Sequence, residues 1–378
     1  MTPPPPLSES LRGCTIVIAV DRRAGELTAA LERHGALVQQ APALTIVPHI
    51  DDEALWARTR ELIAAPPEIV VVTTGVGFRG WIDAADEAGL ADELTTALTG
   101  ARFVARGPKA RGAIQQAGFT ADWVAESETA AELGEYLIAQ GIEGARIAVQ
   151  HHGSGADGLD ELFAAHGGDV VSLTVYRWGP PPDPDTVRRS VAQTADGDVD
   201  AVLFTSAPGA AQWLAEAAGA GCLTEIRRRA SGGRLVMAAV GPITAGPLVG
   251  AQVPVLLAER GRLGSLVRGV VTHFGGGSAP SLLTSAGALQ LRSGGAIIDG
   301  RFIPLSRTAG RLLGVLFDAR GDVVARAELV EALPRTGQGD HAVEMAVARV
   351  REALGIPGII RTVIKRGYRL DVDVDVDA

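Results

Sequence analysis

Cysteine is almost missing from this chain: Cys14 and Cys222 are the only two in 378 residues, and they stand far apart. That excludes a disulfide framework and the paired spacing of a thiolate metal site, and it suits a reducing compartment. Aromatic residues reach only 4%, so the core is expected to be built of Ala, Gly, Val and Leu, as in compact α/β proteins. No apolar run approaches the roughly 20 residues of a membrane span. The proline-rich start lacks the apolar centre of a secretory signal, which leaves the cytoplasm as the expected location, with no membrane partner. Positive charge is also short, with 35 Lys and Arg against 44 Asp and Glu. A net charge of −9 excludes a general nucleic-acid coat; any contact with DNA must be local.

The length is too great for one ordinary core and implies two or three domains. The last third carries the clearest pattern. Ser306 is placed to cap a helix from Arg307 to Asp318, in which Leu312, Leu313, Leu316 and Phe317 recur at helical spacing. A second helix follows Arg326, with Leu329 and Leu333 inward. Asp340 is placed to cap a third, whose Val343, Val347, Val350 and Leu354 share one face. Two extended runs, Ile359 to Ile364 and Gly367 to Val372, then flank Lys365-Arg366 as a basic hairpin. From Arg292 to Leu370 thirteen Arg and Lys face eight Asp and Glu, an excess of 5 positive charges in an acidic protein. Turning the third helix valine-side inward leaves His341, Met345 and Ala348 outward, flanked by Arg349 and Arg351. Such arginines can grip phosphates or a guanine edge.

This segment resembles the winged-helix effector domain of response regulators of the osmoregulator and phosphate-regulator class, the OmpR/PhoB type. The resemblance rests on Leu305-Ser306, on Gly321 to Leu329, on Asp340 to Glu344, and above all on Arg361-Thr-Val-Ile-Lys-Arg-Gly-Tyr-Arg369. It implies double-stranded DNA as partner. It places His341, Arg349 and Arg351 on the recognition helix and Thr362, Lys365, Arg366 and Arg369 on the wing. The wing departs from the family's frequent Val-Arg-Gly with Val363-Ile364-Lys365, and Glu344 and Glu352 are unfavourable beside phosphates.

The body repeats itself. Pro67 to Gly75, running on to Trp81, parallels Val199 to Ala207, running on to Trp213. Ala101 to Ala110 likewise parallels Leu235 to Thr244. Each copy is an apolar strand, a small or hydroxyl residue, then a helix, which is how parallel sheets present ligand sites at strand ends. The expected fold is therefore α/β: two flavodoxin-like or Rossmann-like parallel-sheet lobes plus the C-terminal winged helix.

The order of the body's motifs resembles uroporphyrinogen-III synthase. The matching places are Gly13 to Arg22, Val175-Tyr176-Arg177, Asp200 to Ser206, and Val240-Gly-Pro-Ile-Thr-Ala245. The resemblance implies one lobe from 11–45 and 178–274, and another from 48–175. It leaves 1–10 disordered, 275–283 as a flexible Gly-rich linker, 284–372 as the DNA-binding domain and 373–378 as an acidic tail. Crossings near Ala43–Pro48 and Val175–Pro181 would form a hinge. In the family, hydroxymethylbilane is cyclised with loss of water, and a tyrosine assists the leaving hydroxyl; here that tyrosine matches Tyr176. Arg22, Thr74, Ser206 and Thr244 are the corresponding ligand-binding positions. Asp21, Val76 and Ala110 depart from the pattern.

Two weaker strings remain open. Gly75-x-Gly77-x-x-Gly80 has the spacing of a dinucleotide fingerprint but sits mid-domain, and its duplicate lacks the spacing. Gln150-His-His-Gly-Ser154 is either a polar pocket wall or a metal site. The reading assigns no cofactor and no metal. A transcription regulator with a ligand-sensing body stands first, the ligand being a tetrapyrrole or another polyanion, with a second copy or a partner regulator on DNA. The resemblance implies control of nitrate and nitrite assimilation, since uroporphyrinogen III leads to the sirohaem that nitrite reductase needs. An active or bifunctional synthase stands second.

Overall fold

The computed structural model describes residues 8–21, 23–48, 53–151, 157–333 and 340–372. The chain forms two compact units, Thr45–Gly179 and a second assembled from Met1–Leu44 with Pro180–Ala378.

The first strands of the assembled unit are β1 (Thr15–Ile18) and β2 (Leu37–Gln40). The unit of Thr45–Gly179 then contributes β3 (Thr45–Pro48), β4 (Ile69–Val72), β5 (Arg102–Ala105) and β6 (Ala121–Val124). It continues with β7 (Arg146–His151), β8 (Asp169–Thr174) and β9 (Tyr176–Gly179). Its sheet runs β6-β5-β4-β7-β8, all parallel. β4 reads Ile-Val-Val-Val and is buried throughout. A strand covered by helices on both faces can be apolar at every position. The two extended crossings expected near residues 45 and 178 pair as antiparallel strands, Thr45 opposite Gly179.

Back in the assembled unit come β10 (Ala201–Phe204), β11 (Val236–Ala239) and β12 (Val255–Leu257). Its parallel sheet runs β12-β11-β10-β1-β2. This is the same arrangement as the other sheet, with β10 in the place of β4, β11 of β5, and β1 of β7. The internal repeat thus extends to the whole sheet, although the chain enters the two copies at different strands.

Matched details carry the duplication into the side chains. Trp81 and Trp213 are both fully buried. Trp81 donates from Nε1 to Thr59 Oγ1 at 3.0 Å, and Trp213 to Ser190 Oγ at 3.1 Å. A buried indole N–H needs such a partner.

The C-terminal region opens with β13 (Ser281–Thr284), β14 (Gly287–Arg292), β15 (Gly295–Ile298) and β16 (Arg301–Pro304), a four-stranded antiparallel meander. Three helices follow, Arg307–Asp318, Arg326–Glu331 and Asp340–Leu354, and then the hairpin of β17 (Ile360–Val363) and β18 (Gly367–Leu370). Together these form a winged-helix DNA-binding domain. Ser306 caps its first helix by accepting from Ala309 N at 3.3 Å. Val343, Val347, Val350 and Leu354 are all buried in the core that the helices share with the meander.

The meander was not anticipated, yet Asp299-Gly300 is a legible signal for it. Both residues adopt positive φ, 47° and 76°, as the tightest hairpin turns require. The Gly-rich stretch expected as a linker is also structured at its ends: Gly275 closes the helix Leu263–Gly275, Ala279 is buried, and β13 starts at Ser281. Among the described residues no helix is long and apolar enough to cross a membrane.

Candidate functional site

In each sheet the strand order reverses beside one central pair, β4 with β7 and β10 with β1. Crevices at the carboxyl ends of such strands are where open α/β sheets hold ligands. Thr74, Ser206 and Thr244 lie in the helix starts that follow β4, β10 and β11.

In the unit of Thr45–Gly179, Thr74 comes two residues after β4 and caps the helix Gly75–Glu87, its Oγ1 accepting from Gly77 N at 3.0 Å. Its own N–H donates to Gln150 Oε1 at 3.2 Å, and Thr73 Oγ1 donates to Gln150 O at 2.7 Å. The Gly75-x-Gly77-x-x-Gly80 string is explained by this packing. A Cβ on Gly75 would lie 2.3 Å from the carbonyl oxygen of Lys109, and one on Gly77 would lie 1.9 Å from Gln150 Nε2. Protein, rather than a dinucleotide, fills the space those glycines leave. Tyr176 stands at the start of β9, 5% exposed, with Trp178 edge-on at 5.6 Å.

Arg106 was missed from the sequence, although a cation just after a strand and directly before Gly107-Pro108 is a readable signal. Its guanidinium is half-buried and forms no hydrogen bond or ion pair with any described residue. Burial holds its pKa below the usual arginine range, while Tyr176, Asp157 and Glu128 oppose that shift. It is an unspent cation at the strand-end edge.

His151 ends β7 and is buried. Its Nε2 lies 2.8 Å from Asp160 Oδ1, and its Nδ1 lies 3.2 Å from Asp157 Oδ1. Burial disfavours the charged ring, but the two carboxylates outweigh it and raise the pKa to about 9. The imidazolium is a wall of a cavity of about 220 Å³ shared with Glu161, Ser172 and Thr174. Among the described residues no group of three or more potential ligands is arranged to hold a metal. His152 to Ser154 lie outside the described residues.

In the assembled unit, Ser206 follows β10 and repeats the role of Thr74, accepting from Gly209 N at 3.3 Å. Their backbones coincide, with φ and ψ of −143° and 141° at Thr74 and −145° and 144° at Ser206. Thr244 is not a cap: Gly241 holds that place, and Thr244 sits buried in the first turn of the helix Pro242–Gly250. Arg22 lies outside the described residues.

The C-terminal domain presents a second surface. His341 and Met345 project from the recognition helix into solvent. The side chains of Arg349, Lys365 and Arg366 are exposed and have no hydrogen-bond or ion-pair partner among the described residues. Lys365 takes φ of 63° at the hairpin tip, and Ile364 beside it is 82% exposed. Arg369 is half-buried. Arg351 behaves differently from Arg349. It donates to the carbonyl of Ile360 at 2.7 Å and to Thr362 Oγ1 at 3.0 Å, so it braces the hairpin against the helix. Arg361 is spent on Asp371 at 2.7 Å, and Glu344 is turned toward Arg326 at 3.3 Å.

Comparison with known proteins fits both halves. The family described as uroporphyrinogen-III synthase HemD matches residues 25–268, and that described as transcriptional regulatory protein, C terminal, matches residues 300–370. The uncharacterised protein YjjA of Bacillus subtilis (strain 168) is 28% identical over 269 residues, which are 71% of this chain and 98% of its own length. A solved mutant uroporphyrinogen III synthase from the extremely thermophilic bacterium Thermus thermophilus superposes with a TM-score of 0.56 at 26% identity, over 68% of this chain and 97% of that one.

Proposed function

The chain belongs, through residues 25–268, to the uroporphyrinogen-III synthase family, and from that premise we propose a transcription regulator whose synthase-like body senses an anionic small molecule. The fusion to a DNA-binding domain of the transcriptional regulatory type is itself a regulator's organisation. The observation that carries the reading is the set of exposed, unpaired cations Arg349, Lys365 and Arg366 on the third helix and hairpin of the C-terminal domain, in a protein of net negative charge. Cations left unpaired within the chain are available to phosphates.

For the body we propose a tetrapyrrole or a related polycarboxylate as ligand. The helix starts capped by Thr74 and Ser206 direct backbone N–H groups to the strand-end edges, where carboxylates are favoured. Arg106 adds a cation to one of them. We further propose that the regulated genes serve nitrate and nitrite assimilation, where uroporphyrinogen III is the precursor of sirohaem, and that a second copy or a partner regulator shares the operator. Catalysis is the competing reading, and Tyr176 keeps it in place.

One experiment separates the two. Purified protein is incubated with hydroxymethylbilane, and type III product is compared with the spontaneous type I. In parallel, operator affinity is measured with and without uroporphyrinogen III. Negligible type III product with a changed operator affinity supports the sensor; turnover typical of enzymes overturns it.

A further inference from the structure

The DNA-binding domain does not hang from the body. Its β14–β15 turn reaches the amino ends of β1 and β10 and closes around a buried carboxylate. Asp200, immediately before β10, is only 5% exposed. It accepts from Ser293 N at 2.9 Å, from Ser293 Oγ at 2.5 Å and from Thr15 N at 2.8 Å. Ser293 Oγ also lies 2.9 Å from Thr15 Oγ1, and Gly294 N donates to Gly13 O at 2.9 Å. The backbone of Gly13 lies under the ring of Phe302, where a Cβ would come within 2.1 Å of a ring carbon.

Further contacts surround this centre. Arg292 is buried, donates to Phe274 O at 2.7 Å and stacks over the Phe274 ring. Arg311, on the first helix of the domain, reaches Asp196 and Asp198 at 2.9 Å each. From the body side, Arg234 reaches Asp318 at 3.0 Å and the carbonyl of Gly314 at 3.2 Å. None of these groups belongs to the recognition helix or the hairpin, whose free cations stay open to DNA.

Position along the strands gives the arrangement a consequence. β10 begins after Asp200 and ends at Phe204, before Ser206; β1 begins at Thr15 and ends at Ile18. Of the two central strands at the order reversal, β10 therefore carries the candidate ligand residue Ser206 beyond its carboxyl end, and both strands carry the DNA-binding domain at their amino ends. Six residues of extended chain, the separation of Asp200 from Ser206, span about 20 Å.

We infer that the Asp200–Ser293 joint welds the DNA-binding domain to this sheet, and that β1 and β10 carry a ligand-induced change at their carboxyl ends to the operator. The coupling half rests on the sensor reading proposed above; the weld does not. A weld of this kind regulates by moving or stiffening a domain that is already exposed to DNA, with no release step.

The test uses the full chain as wild type, Ser293→Ala and Arg311→Ala, both of which leave the Asp200–Thr15 contact in place. Hydrogen exchange of the β14–β15 amides should quicken by roughly tenfold in Ser293→Ala, the scale of one missing buried hydrogen bond, and by less in Arg311→Ala, whose ion pairs are partly exposed. Unchanged exchange in both overturns the weld. Operator affinity with and without uroporphyrinogen III tests the coupling: a wild-type response of roughly fivefold or more should collapse toward onefold in the variants. Faster exchange with an undiminished response overturns the strands as the route. A wild type without any response removes the sensor reading and with it the coupling, while exchange still decides the weld.

Discussion

Arg351 donates to Thr362 Oγ1 at 3.0 Å and, with the same guanidinium, to the carbonyl of Ile360, tying the recognition helix to the wing. Two residues expected to touch DNA are thus in contact with each other, and the arginines of this helix divide into a brace and a reader.

That division gives a mutational signature. Arg351→Ala should lower the stability of the C-terminal domain by roughly 1–3 kcal/mol, because charged donors to a buried-edge carbonyl are removed. Arg349→Ala should leave thermal unfolding unchanged and relax preference at one base pair, weakening discrimination there by about 1–3 kcal/mol. Calorimetry combined with binding to mismatched operators reads both. Equal destabilisation by the two substitutions would remove the distinction.

Arg366→Ala should act differently again. Its exposed, unpaired guanidinium at the hairpin tip suits a phosphate, and each phosphate left without its cation lowers the slope of log affinity against log salt by about 0.9. Binding should weaken on every sequence alike. A titration from low to high salt with specific and random duplexes decides it.

The paired tryptophans predict matched stabilities. Ser190→Ala strands Trp213 Nε1, and Thr59→Val strands Trp81 Nε1, each in a site with almost no solvent access. An unpaired buried donor costs about 1–3 kcal/mol. Denaturant unfolding should show destabilisation of that size in both variants. A neutral result in either would mean that the indole had found another partner.

The imidazolium of His151 predicts a pH dependence. Its folded pKa is raised to about 9 from 6.5, so the native state holds the proton more tightly than the unfolded chain. The stabilisation is fully present below about pH 6.5 and fades as pH rises through about 9. Unfolding free energy should therefore fall across that window in the wild type, and the fall should shrink in His151→Gln. A slope that survives the substitution would assign the effect to another group.

For the body, Tyr176→Phe removes one hydroxyl from a side chain packed beside Trp178. If hydroxymethylbilane is converted at all, type III product should drop while thermal unfolding stays in place. Retained conversion would exclude the Tyr176 hydroxyl from the chemistry.

Much of this was legible in the sequence because it is local. Apolar runs such as Ile69–Val72 announce strands buried on both faces, Ser306 announces a helix start, and the duplicated Thr74 and Ser206 announce strand ends. Spacing alone turned four valines and leucines of the recognition helix inward and left Arg349 outside. What the order of residues did not contain was partnership across long separations. Arg351 and Arg349 look alike until the hairpin folds back onto one of them. Asp200 reads as the polar start of a strand until a turn 93 residues later brings Ser293 to its carboxylate. Thr244 matches a family motif yet lies buried inside a helix whose cap is Gly241. The glycines at 75 and 77 have the spacing of a nucleotide loop, but only the fold shows that Lys109 and Gln150 occupy their space. Strand and helix periodicity is written in neighbouring residues, whereas a side chain's availability depends on which distant group the closed fold sets beside it.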